Sequence, residues 1–225
     1  MYSNNKHSSY YGDEIVHTFP EYPFDYQYLI NRLKSYRNPR NKIGLMIKKG
    51  QIIRIKKGIY ILSSNYGGEI DKFTIANLIY GPSYVSFETA LSYWGLIPER
   101  VNLIISTTTK RNKKLKTPLG TFLYHYLNNS RYIYGVTRVV VKNNSAFLIA
   151  KREKALCDVI ATSHIYSIKD IESYLIENMR IDLDLVQDLD RNLLKILSEN
   201  YSNVSVRLFC KWYSKYFKLS EENYS

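Results

Sequence analysis

A chain of 225 residues can hold one large domain or two small ones, and with 45% hydrophobic and 23% charged residues it has the composition of a folded protein, not a disordered one. No apolar run approaches the roughly 18 residues of a membrane span, and the Tyr/Asn/Ser-rich start lacks a signal-type apolar stretch, so 1–20 is expected to be a loose arm. The net charge of +12 favours an anionic partner.

The charge is unevenly spread. Between Tyr26 and Tyr60 stand ten basic residues and no acid. Between Arg100 and Arg152 stand eleven more, again without an acid. From Glu153 onward twelve acids meet nine bases, so the balance reverses. Such asymmetry suggests one face for nucleic acid and another for a different partner. Cys157 and Cys210 fall in helix-like apolar contexts, which fits buried thiols in a reducing compartment. His7, His17, His125 and His164 are scattered without metal-ligand spacing, so neither metal nor cofactor is expected.

In chain order, Asp25 is a natural N-cap for a helix with Tyr26, Leu29, Ile30 and Leu33 on one face. After a short turn, Asn38 can cap and Pro39 can open a second helix. That helix places Ile43, Met46 and Ile47 on one face, and Gly50 ends it. The period then falls to two: Ile53 and Ile55 alternate with Arg54 and Lys56, Lys57-Gly58 turns, and Ile59-Tyr60-Ile61 returns. This predicts a hairpin with an apolar inner side and a basic outer side. Helix, turn, helix and basic hairpin together spell a winged helix-turn-helix.

A second part begins near Asp71. Phe73–Tyr80 predicts a short helix, and Ser86 is placed to cap another that carries Phe87, Ala90, Leu91 and Trp94 and closes at Gly95. Strands are expected at Val101–Thr107, Gly120–Tyr126, Thr137–Val141 and Phe147–Ile149, with Lys110–Lys116 as a basic hairpin loop between the first two. From Lys151 onward the pattern is helical. The expected fold is α+β: an arm at 1–20, a winged helix-turn-helix at 21–66, and at 67–225 a mixed domain with a small sheet and a helical C-terminus.

The second helix reads as a recognition helix. Arg37, Asn38, Arg40 and Asn41 cluster at its N-terminal end, where such helices meet base edges, and Asn and Arg read adenine and guanine. Leu45 also faces away from the apolar stripe and is open to two uses, a thymine methyl or packing under the hairpin. Lys42, Lys48, Lys49, Arg54, Lys56 and Lys57 suit phosphate neutralisation, and Lys110, Arg111, Lys113 and Lys114 either grip flanking phosphates or form a solvated loop tip. Catalysis has thin support. Glu88 and the adjacent Glu153-Lys154 are the nearest approach to a nuclease set, but neighbours on a helix diverge by about 100°, and capping or surface charge accounts for them. No Gly-rich phosphate loop or nucleophile elbow is present, so no enzyme and no catalytic residue is expected.

The stretch Ile47-Lys48-Lys49-Gly50-Gln51-Ile52-Ile53-Arg54-Ile55-Lys56-Lys57-Gly58-Ile59-Tyr60 resembles the LxKKGxIxRIxKGxY signature of AbiEi-type antitoxins. The resemblance continues through Ile75–Leu91, Gly95–Glu99, Thr107–Arg111, Thr117–Phe122 and Glu153–Asp158, from about residue 25 to the C-terminus. One departure is Ala150-Lys151-Arg152-Glu153, where the family has Ala-Thr-Pro-Glu. The resemblance implies the antitoxin half of a type IV toxin–antitoxin, or abortive-infection, system in the cytoplasm. Its implied partners are inverted repeats in the promoter DNA of its own operon and a nucleotidyltransferase-like toxin that it counters without a tight complex.

Overall fold

The computed structural model describes residues 14–69, 71–99, 102–141 and 145–222, with 218–222 as backbone alone. Most of the expected N-terminal arm, up to residue 13, lies outside the described residues, as does Val101. The architecture is mixed α+β, with two sheets.

The N-terminal elements form where local chemistry predicts them. After a 3-10 turn at Ile15–Thr18 and a two-residue strand β1 (Phe24–Asp25) comes helix α1 (Tyr26–Arg32). Asp25 caps it, its carboxylate accepting the Tyr28 N–H at 2.7 Å. Helix α2 (Pro39–Lys48) starts at the Asn38 cap and ends at Gly50, whose φ of +68° few other residues adopt without strain. The hairpin follows as β2 (Ile52–Lys56) and β3 (Ile59–Leu62), and β1 pairs antiparallel with β3, so the small sheet runs β1-β3-β2.

The hairpin departs from the expected one-sided pattern. Ile52, Tyr60 and Leu62 pack with Leu29, Leu33, Ile43 and Met46 in a small core. Ile55 and Ile61 instead join the large core of the C-terminal part, with Ile53 and Ile59 packed against it. Both faces are thus apolar, and the hairpin is shared between the two cores. Alternation alone could not reveal this, because a strand buried on both sides needs no polar face.

The larger sheet has six strands in the order β6-β7-β5-β4-β9-β8. In the chain these elements are α3 (Lys72–Ile79), β4 (Ser83–Val85), α4 (Phe87–Tyr93), β5 (Ile104–Thr108), β6 (Lys113–Thr117), β7 (Gly120–Tyr126), α5 (Asn129–Tyr132), β8 (Val136–Val140) and β9 (Ala146–Ala150). Helices α6 (Arg152–Ile160), α7 (Lys169–Ser173), α8 (Arg191–Tyr201) and α9 (Val204–Glu222) complete the fold. The stretch Lys113–Thr117, expected as a loop, is an edge strand antiparallel to β7. On one face of the sheet Tyr124 donates from its hydroxyl to the α3 carbonyl of Ala76, at 2.7 Å. On the other face Tyr84, Ser86 and Thr107 reach Asp158 of α6. Helix α3 therefore lies on one side and α6 on the other. Among the described residues no helix is long and apolar enough to cross a membrane.

Candidate nucleic-acid interface

The outward face of α2 carries most of the expected DNA-reading residues. Arg37, Arg40, Asn41, Lys48 and Lys49 are exposed, and Ile43 and Met46 are buried beneath them. Leu45 is 54% exposed, so it does not pack under the hairpin and stands among the polar side chains. Two expected contacts are committed elsewhere. The Asn38 side-chain oxygen accepts the Asn41 N–H at 3.2 Å, which makes Asn38 first a helix cap. Lys42 is half-buried with its ammonium 5.0 Å from the centre of the Tyr36 ring. Arg54 and Lys57 of the hairpin are exposed. The ion pairs Arg152–Asp188, Lys154–Asp158 and Arg180–Glu99 do not involve Arg37, Arg40, Lys48, Lys49, Arg54 or Lys57, so among the described residues none of these six cations is held in one of them.

Lys56 is exposed as well, but it has a partner within the fold. Its Nζ donates to the carbonyl of Ile79 at 2.5 Å, at the C-terminal end of α3. Lys110 does likewise, donating to the carbonyl of Gly81 at 2.5 Å while its ammonium lies 5.6 Å from the centre of the Tyr80 ring. The last carbonyls of a helix have no partners within it and favour cations, which explains the placement of Lys56, and Gly81 lies one residue past the Tyr80 cap at the same helix end. The Tyr80 hydroxyl donates to the backbone carbonyl of Arg111 at 3.1 Å, fixing the start of the second basic segment on the same helix end. Arg111, Lys113 and Lys114 are exposed there.

A second set of charged residues is buried, and the sequence reading missed it. Glu153 and Lys154, expected as surface or capping charge, are 4% and 0% exposed. Lys154 Nζ lies 3.6 Å from the Asp158 carboxylate and donates to the Arg131 carbonyl at 2.7 Å and to the Tyr201 hydroxyl at 2.5 Å. Asp158 also accepts from the hydroxyls of Tyr84 at 3.1 Å, Ser86 at 2.5 Å and Tyr201. Ser86, expected to cap α4, is spent on this contact and makes no side-chain cap bond. Gly135 closes over the lysine: a Cβ there would come 2.9 Å from Lys154 Cβ. The Glu153 carboxylate accepts the Asp190 N–H at 2.9 Å. The one sequence signal for this network is the i,i+4 spacing of Lys154 and Asp158 around the apolar Ala155-Leu156-Cys157. Among the described residues no group of three or more His, Cys, Asp or Glu is placed to hold a metal ion. Cys157 and Cys210 are both free and buried. The Cys157 thiol is pushed up by burial, and that of Cys210 is held down by its hydrogen bond with Cys157.

Burial governs the titration of the tyrosines on both faces of the sheet. It raises Tyr84, Tyr124 and Tyr201, the Asp158 charge adding to the effect on Tyr84 and Tyr201, and it pushes Tyr132 up to about 12. A raised phenol keeps its proton in the folded chain after the unfolded chain has lost it. The stability Tyr132 contributes is therefore fully present below pH 10 and is lost as pH rises through about 12, and that of Tyr84, Tyr124 and Tyr201, raised as well, is likewise lost only above pH 10. Lys154 acts in the opposite sense: burial lowers its pKa, so the unfolded chain holds that proton to higher pH. Burial raises Tyr174 and Tyr213 too, and with six phenols against one ammonium the denaturant midpoint is expected to fall as pH is raised past 10. Phenolate absorbance should then show a late-titrating class that disappears in denaturant. A single titration step shared by all tyrosines would contradict this.

No family model and no curated protein matches the chain. Its structure is similar to the crystal structure of the RV2827C protein from Mycobacterium tuberculosis, with a TM-score of 0.49 and 12% sequence identity, over 89% of this chain and 80% of that chain. A likeness at this level says nothing of activity.

Proposed function

We propose that this chain is a DNA-binding transcriptional autoregulator that reads duplex DNA through an N-terminal winged helix-turn-helix. The observation that carries the reading is the outer face of α2, where Arg37, Arg40, Asn41, Lys48 and Lys49 stand exposed with no carboxylate partner among the described residues. The element order supports it: a short strand, two helices joined by a turn, then a hairpin whose second strand pairs with the first. Arg40 and Asn41 read base edges, while Lys48, Lys49, Arg54 and Lys57 neutralise phosphate. The resemblance to AbiEi-type antitoxins extends the proposal. In that reading the chain is the non-enzymatic, cytoplasmic antitoxin of a type IV system and counters a nucleotidyltransferase-like toxin.

Fluorescence anisotropy on the duplex upstream of its own gene, against a scrambled duplex, tests this between about 50 and 200 mM salt. An autoregulator prefers the cognate duplex by roughly a thousandfold or more. Equal, salt-sensitive binding to both would leave a basic surface without a code. Absence of duplex binding would turn attention to the C-terminal part as a protein-interaction module.

The two hairpin lysines should separate in the same assay. Lys57→Ala is expected to weaken cognate and scrambled duplex alike and to leave stability unchanged. Lys56→Ala should barely change DNA affinity but cost about 1 kcal/mol of stability, since the Ile79 carbonyl loses its donor. The reverse pattern would return Lys56 to the phosphate contacts.

A further inference from the structure

The two basic segments of this chain, at Lys56 and Lys110, are separate in sequence and meet on one helix end. Lys56 holds the carbonyl of Ile79 and Lys110 that of Gly81. Two residues of chain span at most about 7 Å, so with the two hydrogen bonds the ammonium groups lie within about 12 Å of each other. The hairpin turn at Lys57-Gly58 directly follows Lys56, and the strand β6 begins three residues after Lys110. The Tyr80 hydroxyl holds the intervening Arg111 backbone in place.

From this junction the edge strand β6 carries Lys113 on the face of Tyr124 and Lys114 and Lys116 on the other, all along one sheet edge. Five strand residues cover roughly 17 Å, and Lys113, Lys114 and Lys116 along it are exposed. Neither these lysines nor Arg111 belongs to an ion pair among the described residues. Lysines on an edge strand also discourage pairing with other strands, and that accounts for β6 alone. It does not account for Arg111, for Lys57, or for their being brought to the same place by tethers from two separate segments. A surface with this much unneutralised charge, continuous with the hairpin tip, fits a polyanion that runs on past the hairpin.

We propose that Arg111, Lys113 and Lys114 form a second phosphate-contact surface, so that a single duplex held at α2 and the hairpin is gripped further along its backbone by the C-terminal part. The inference rests on the duplex-binding reading and deepens it: the footprint is set by both parts of the chain, and the added contacts carry no base information.

The test uses the full chain with Arg111→Ala, Lys113→Ala and Lys114→Ala combined. These side chains are exposed, so the variant is expected to keep the wild-type melting temperature. Each neutralised phosphate contributes about 0.9 to the slope of log affinity against log salt. On a cognate duplex with long flanks the triple variant should therefore lose about 2 to 3 from the slope. Between about 50 and 200 mM salt that is roughly 40-fold less salt-driven loss of affinity. Cognate preference should stay the same, and on a duplex trimmed to the half-site the variant and wild type should bind alike. The charge-preserving set Arg111→Lys, Lys113→Arg and Lys114→Arg should keep the wild-type slope.

An unchanged slope in the triple variant on the long duplex overturns the proposal, as does structured RNA displacing that duplex at equal concentration. Failure of the underlying reading looks different. If wild type lacks cognate preference yet still loses slope on substitution, the code at α2 is wrong and the second surface stands.

Discussion

Asp158→Ala is expected to be among the most damaging single substitutions in this protein, costing about 3–5 kcal/mol. The carboxylate is 3% exposed and is the common acceptor for Tyr84, Ser86 and Tyr201 and the counter-ion of Lys154. Its removal leaves an ammonium at 0% exposure without a partner charge and three hydroxyls from three elements without an acceptor. For a chain of this size such a loss corresponds to a melting temperature lower by roughly 6–20 °C. Lys154→Met on its own should also destabilise, because the buried carboxylate loses its counter-ion. The double variant Asp158→Leu with Lys154→Met should recover much of the loss, since two apolar side chains leave no buried charge. Denaturant midpoints of the singles and the double form the test. Additive losses would mean that the pair is not coupled and that its geometry matters less than the surrounding packing.

The second large effect is expected at the exposed polar face of α2, on the proposal that it reads duplex DNA. Arg40→Ala and Asn41→Ala should each cost about 1–3 kcal/mol on the cognate duplex and little on a scrambled one. Lys48→Ala should weaken both equally. Both Arg40 and Asn41 are exposed and outside the core, so folding should not change. Equal loss on the two duplexes for Arg40→Ala would move base reading to another element. The exposed Leu45 lies between Asn41 and Lys48 on this face, an apolar group suited to a thymine methyl.

The N-terminal helices were legible in the sequence because short-range contacts decide them. The Asp25 carboxylate caps a helix three residues on, Asn38 does the same beside Pro39, and Gly50 supplies a left-handed stop. Each of these is a contact between neighbours in the chain, so residue type and spacing suffice. The same holds for the β2–β3 hairpin and for β7, whose observed span of Gly120–Tyr126 matches the expected one. The exposed cations of α2 were equally readable, since nothing apolar recurs on that side of the helix.

Long-range pairing decided the rest. Strands β1 and β4, with two and three residues, are too short to show a period, and they exist because β3 and β5 offer them partners. Lys113–Thr117 is the exception: three lysines in five residues made it look like a loop, yet it forms a local hairpin with β7 across Pro118-Leu119. Ser86 has the residue type and place of a helix cap, but an acceptor 72 residues away takes its hydroxyl. Glu153 and Lys154 look like surface charge, and only the packing of α8 and the sheet around α6 encloses them with their partners. Lys56 and Lys110 likewise read as free cations until the fold brings the end of α3 between them. Composition and spacing thus determined which residues carry charge and which local elements form. Where a charge is spent, on a carboxylate, a carbonyl or the solvent, depends on segments distant in the chain, and the tertiary structure alone decided it.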